Sequence, residues 1–173
     1  MTMTLIETKT LGTAAAAIEF TSIPQTHTDL VLLISSRPAS GAIGVILAAL
    51  NGSSANFTSR QIEGNGSSPN SGTSTTGRVG VVGDSGDTAN TFASSKVYIT
   101  NYTASTAKVI SADAVNETNG TTAYQILYST LWNNTAAITS ISLTSTSGAN
   151  FAVGSTVSLY GITKGSSGGV VVS

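Results

Sequence analysis

The feature that most narrows the fold is a two-residue alternation of apolar and hydroxyl-bearing side chains, broken at short intervals by turn residues. In AIEFTSI (17–23), Ile18 and Phe20 fall on one side, with Glu19 and Thr21 on the other. In ITSISLTS (138–145), Ile141 and Leu143 share a side, opposite Ser140, Ser142 and Thr144. A period of two is that of a pleated strand, whose successive side chains point to opposite faces. Similar runs recur along the chain: TLIETKTL, AAIEFTSI, LVLLISSR, GVILAAL, RVGVVGD, KVYITNY, KVISADAV, YQILYSTLW, ITSISLTS and STVSLYGI. Their spacing predicts an all-β protein, a jelly-roll-like antiparallel β-sandwich of about 8–10 strands.

Helical spacing occurs once. Tyr124, Leu127, Tyr128 and Leu131 stand at i, i+3, i+4 and i+7, so at most one short helix or helical turn is expected, near residues 122–131. Two runs do not alternate cleanly. Leu30 to Ile34 is apolar throughout and predicts a central strand covered on both sides. In STVSLYGI, Val157 and Leu159 oppose Tyr160 and Ile162. That strand is expected to be covered on both faces, which makes Tyr160 and Ile162 candidate subunit-interface residues.

Turn chemistry agrees with the strand spacing. Asn51-Gly52, Asn65-Gly66 and Asn119-Gly120 supply residues that tolerate positive φ, and Pro24 closes a strand before QTHTD. Residues 64–77, GNGSSPNSGTSTTG, read as a long flexible loop. Residues 1–164 are expected to form one sandwich domain, followed by a Gly/Ser-rich tail at 165–173.

Charge excludes some partners. Only 9 % of the 173 residues are charged, and seven basic residues are scattered against eight acids. A nucleic-acid binder needs clustered cations to displace counterions from phosphates, so no nucleic-acid partner is expected. Serine (26) and threonine (27) wet the surface instead. A surface this poor in charge lacks the repulsion that keeps free molecules apart, and it suits a chain held in an assembly. No run approaches the roughly 18 apolar residues of a membrane helix. The start, MTMTLIETKT, has neither a basic region nor an apolar core of a secretory signal, so synthesis in a host cytoplasm is expected.

The motifs that suggest chemistry are weak. GDSGD (83–87) is similar to the GDSGG around the nucleophile of chymotrypsin-like proteases, and the single histidine, His27, precedes it. A triad requires His, Asp and Ser within hydrogen-bond reach, and His27 stands in a polar turn. Asp84 and Asp87 are two carboxylates where a hard cation wants six to eight oxygens. With no cysteine and one histidine, a transition-metal site is not expected. No catalytic residues, metal or cofactor are predicted.

Three stretches carry a resemblance: TLGTAAAAIEFTSIPQTHTDLVLLISSR, SSKVYITNYTASTAKVISADAVNET and LWNNTAAITSISLTSTSGANFAVGSTVSLYGI. Their order of strands and turns, over about residues 4–163, resembles small virion proteins of tailed bacteriophages. Phe20, Ile23-Pro24, Thr28-Asp29-Leu30, Asn101-Tyr102, Leu131-Trp132 and Leu159-Tyr160-Gly161 carry it. The resemblance implies a jelly-roll-like virion component, either a capsid decoration (cement) protein or a tail-fibre protein. The first reading expects a homotrimer on the capsid exterior, bound to the major capsid protein of the same virion. The alternative is a receptor-binding or fibre-tip module for host glycans, and a third reading is a bacterial adhesin or carbohydrate-binding domain. Under the glycan reading Trp132, with Asn133 and Asn134, is the candidate sugar site. Under the other readings Trp132 fills the core or a subunit interface.

Overall fold

A computed structural model describes residues 2–120 and 123–164. Twelve strands make up the fold: β1 (Thr2–Thr10), β2 (Ala17–Phe20), β3 (Asp29–Ser36), β4 (Gly44–Leu50), β5 (Phe57–Gly64), β6 (Pro69–Ser74), β7 (Arg78–Val82), β8 (Ala93–Ile99), β9 (Lys108–Asn116), β10 (Tyr124–Trp132), β11 (Ile141–Ser145) and β12 (Thr156–Thr163). They form two antiparallel sheets, a large one ordered β1-β12-β3-β8-β9-β10-β5-β6 and a small one ordered β2-β11-β4-β7. All ten runs read from the alternation are strands.

The topology is that of a jelly roll with two inserted hairpins. With β5-β6 and β9-β10 set aside, every connection except β4 to β7 crosses from one sheet to the other, and the pairs nest: β1 with β12, β2 with β11, β3 with β8, β4 with β7. Those eight strands are two four-stranded layers wound from one long folded hairpin. The four inserted strands all join the large sheet beyond β8 and double its width.

The core lies between the layers. Leu32 and Ile34 of β3, Val97 of β8 and Val157 and Leu159 of β12 face Ile18, Phe20, Ile46, Ile141 and Leu143 of the small sheet, all buried. Where the alternation is strict, as in AIEF and ISLTS, the sequence placed each side chain on its observed face. At the tip after β4, Asn51 and Gly52 take φ of 52° and 74°, the left-handed pair a tight turn needs. The Asn51 carboxamide then accepts the amides of Thr139 (2.8 Å) and Ser140 (3.2 Å), pinning the entry to β11.

No helix occurs among the described residues, within the bound of at most one short helix, and three other expectations need correction. Tyr124–Trp132, the run with helical spacing, is strand β10, paired with β9 and β5 along its length. Its helical spacing arises because β10 is apolar on both faces: Tyr124 and Tyr128 point inward, Leu127 and Leu131 outward. The loop expected over 64–77 is largely the turn and strand of a hairpin, since β6 pairs with β5 from Gly64↔Pro69 to Ser59↔Ser74. Neither β5 nor β6 was read from the sequence, which brings the strand count to twelve. Their inner faces carry Ser59, Gln61, Glu63, Asn70 and Gly72, so no apolar alternation marked them. They are strands because β10 offers β5 a full ladder of backbone partners, and β5 does the same for β6. Finally, Leu30–Ile34 is covered on both sides only at Val31, because Leu33 is 40 % exposed on the outer face of β3. The expected tail at 165–173 lies outside the described residues.

Candidate functional site

Trp132 ends β10 on its inner face and is 1 % exposed. Its ring stacks on Phe57 of β5 with centroids 6.3 Å apart and planes 26° from parallel. A buried ring has no open face for a sugar. Asn133 is exposed and Asn134 half-buried. Their amides are spent on the turn, Asn133 N donating to Asn56 O (2.8 Å) and Asn134 N to Trp132 O (2.9 Å), while Asn134 Oδ1 accepts Ala136 N (2.8 Å). The three residues do not converge on a ligand. Opposite Trp132 on β9, buried Lys108 donates its ammonium to Ala104 O at 2.7 Å and to Thr106 O, and burial lowers its pKa.

The protease-like motif is not assembled. His27 lies against Gly161 of β12, where a Cβ would collide with the imidazole, and its Nδ1 is 3.0 Å from Thr163 Oγ1. Ser85 belongs to the β7–β8 connection, where its carbonyl accepts Arg37 Nη2 at 2.9 Å, and Arg37 N in turn meets Ser155 Oγ at the other end of β12. At about 3.3 Å per residue, the seven steps from Thr156 to Thr163 separate these groups by roughly 23 Å. Asp84 and Asp87 fold on their own loop: Asp87 Oδ2 accepts Asp84 N (2.8 Å), and Asp84 Oδ1 accepts Gly86 N (2.7 Å). No cluster of three metal-ligating side chains occurs among the described residues.

The unusual surface is the outer face of the large sheet. Nine large apolar side chains are exposed among the described residues, and seven of them lie here: Met3, Leu5, Leu33, Ile62, Val109, Val115 and Leu127. The register sorts them into two patches. One spans β1, β12 and β3, with Met3 beside Ile162, Leu5 beside Tyr160, and Tyr160 beside Val31. The other spans β9, β10 and β5, with Leu127 beside Ile62 and Val109 beside Leu131. Lys96 and Asp113, paired across β8 and β9, form a charged seam between the patches. The outer face of the small sheet is unlike this, presenting Ala17, Glu19, Ala49, Ser142 and Thr144, with Ser142 Oγ donating to Glu19 Oε1 at 3.1 Å.

Tyr160 and Ile162 therefore sit together in the first patch. Tyr160 is half-buried, and Ile162 is 6 % exposed within the protomer, so Met3 and Leu5 provide most of the open area around them. Sequence reasoning missed Leu127, Ile62 and Val109 because their alternate positions are equally strand-like, and only pairing shows which parity faces out.

Fold and surface together define an all-β sandwich of jelly-roll topology whose enlarged sheet carries two apolar patches on its outer side. No known protein family, no curated protein and no solved structure matches the chain.

Proposed function

We propose that this chain is a structural protein of a bacteriophage virion, a capsid decoration protein that assembles into a closed homotrimer and binds the outer shell through the major capsid protein. The observation that carries this reading is the concentration of exposed apolar side chains on one sheet face. Isolated surface leucines are ordinary, but a contiguous apolar face marks a surface that is covered in use. Eight strands about 4.8 Å apart and about 26 Å long present roughly 900 Å². Divided between two patches, that is about 450 Å² per partner at each contact, below the ~800 Å² of a standard interface, so an assembly relies on both contacts of every copy.

Two patches parted by a charged seam favour a head-to-tail contact, in which the β1-β12-β3 patch of one copy meets the β9-β10-β5 patch of the next. Such heterologous contacts form a ring when the rotation between copies closes and a filament when it does not; the closed ring leaves no apolar patch unpaired. A ring of this kind stabilises a shell by mass action, since it binds the assembled lattice and not its dissociated subunits.

Light scattering of the purified protein at micromolar concentration tests the assembly, with a trimer expected and a stable monomer against it. Leu5→Lys and Leu127→Lys, one in each patch, should each yield a folded monomer. A stained gel of purified particles tests the location. Hundreds of copies per particle fit decoration, and a few dozen or fewer put the chain in the tail.

A further inference from the structure

Where the inserted strands β5 and β10 reach past the edge strand β7, they enclose a cleft of about 190 Å³ against β4 and β7. Gln61, Glu63, Tyr124 and Tyr128 line its large-sheet side. Val45 and Val81 line the other, with exposed Ile43 at the lip. Tyr128 is 3 % exposed, and its hydroxyl has no hydrogen-bond partner. The neighbouring Arg78 also has a buried, unpartnered Nε, although its Nη1 donates to Gln61 Oε1 at 2.5 Å. Gln61 Nε2 in turn donates to Glu63 Oε2 at 2.9 Å. A buried polar atom without a partner has lost its water and gained nothing in return. The Tyr128 hydroxyl is such an atom on the wall of this cleft, a poor arrangement for a core and a good one for a ligand that completes it.

The neighbouring charges select the ligand. An anion attracted to Arg78 would meet the Glu63 carboxylate, and a cation attracted to Glu63 would meet the guanidinium. A neutral hydroxyl suits this setting, accepting from the Tyr128 phenol and donating to the Glu63 carboxylate. Burial raises the Tyr128 pKa to about 12, so the phenol keeps its proton at neutral pH. The aliphatic wall of Val45, Val81 and Ile43 suits the C–H face of a ring that carries such hydroxyls. The volume is below the roughly 300 Å³ at which pockets for drug-sized ligands begin, so it takes one ring and not a chain of them.

We propose that this cleft, with the Tyr128 hydroxyl and the Glu63 carboxylate as its polar anchors, binds one neutral pyranose unit of a glycan. It lies on the opposite face of β10 from the apolar surface, so the sugar site and the assembly reading stand or fall separately.

Ligand-observed NMR with free neutral hexoses and N-acetylhexosamines at millimolar concentration tests the site, with acetate and phosphate as anionic probes. At least one neutral sugar should bind saturably. Tyr128→Phe should weaken it at least tenfold while leaving the melting temperature unchanged or higher, because the lost hydroxyl has no partner. Glu63→Ala, at a part-exposed position, should weaken the same sugar and serves if Tyr128→Phe does not fold. Absence of sugar binding, equal binding by the variants, or a preference for the anionic probes would overturn the proposal.

Discussion

The Tyr98 hydroxyl donates to Asp29 Oδ2 across 2.7 Å, and Asp29 Oδ1 accepts the amide of Asn101 at 2.8 Å. Asp29 is 2 % exposed at the start of β3, so this carboxylate is held by two donors, both from the end of β8 and the turn after it. Removing one leaves a buried charge with half its bonds. Tyr98→Phe is expected to cost about 1–3 kcal/mol of stability, read from urea denaturation. Asp29→Asn combined with Tyr98→Phe should cost less than the sum of the two single changes. Strict additivity would show that the bond contributes nothing.

The buried tyrosines set an alkaline limit. Tyr128 titrates near 12 when folded against 10.0 unfolded, chiefly because it is buried. The hydrogen bond to Asp29 raises the Tyr98 pKa, and burial raises that of Tyr102. Between the two values the folded chain keeps a proton that the unfolded chain has lost. Stability is therefore full below about pH 10 and falls as pH rises toward 12. Melting temperatures measured from pH 9 to 12 should show this decline, with Tyr128→Phe making it shallower. A flat profile in the wild type would contradict the burial of these hydroxyls.

Arg37 fastens the β7–β8 connection to the end of β3. Its guanidinium donates to the carbonyls of Ser85, Asp87, Thr88 and Thr91, each at 2.9 Å, and to Thr91 Oγ1 at 3.1 Å. A lysine carries the charge without the planar fork and can reach few of these acceptors. Arg37→Lys is expected to cost about 2 kcal/mol and to open residues 84–91 to limited proteolysis. Unchanged protease resistance would mean that the loop holds itself.

Gly161 is required by its neighbour. A Cβ there would occupy the space of the His27 ring. Gly161→Ala should lower the melting temperature by several degrees, and adding His27→Ala should restore most of the loss. If the second substitution gives no recovery, some contact other than His27 is responsible.

Much of the architecture was legible because a two-sided environment writes itself into an alternating sequence. Ile18 and Phe20, or Ile141 and Leu143, could face only inward once their neighbours were Glu19, Thr21, Ser142 and Thr144. The reading failed where a strand's environment comes from its partners. PNSGTS contains nothing apolar and is still β6, because β5 leaves it a row of unpaired backbone groups. YQILYSTLW gave a helical spacing because apolar residues on both faces of one strand fall at i, i+3, i+4 and i+7 by coincidence. The candidate sugar residue Trp132 was singled out as the sole tryptophan, whereas the cleft depends on Gln61, Glu63, Arg78 and Tyr128, which come from three strands and form no local motif.

The sequence by itself determined that the chain is all-β, where ten of its strands run, and, for the strictly alternating ones such as β2 and β11, which face turns inward, since each follows from side chains one or two positions apart. The tertiary structure alone decided the order of the strands and the joining of the inserted hairpins to one side of the large sheet. It also brought the exposed leucines together on a common face and left the Tyr128 hydroxyl and Arg78 Nε without hydrogen-bond partners. These relationships link residues as far apart in the chain as Met3 and Ile162, 159 positions. Backbone hydrogen bonds between strands carry no residue identity, so such pairings become visible only when the chain has closed on itself.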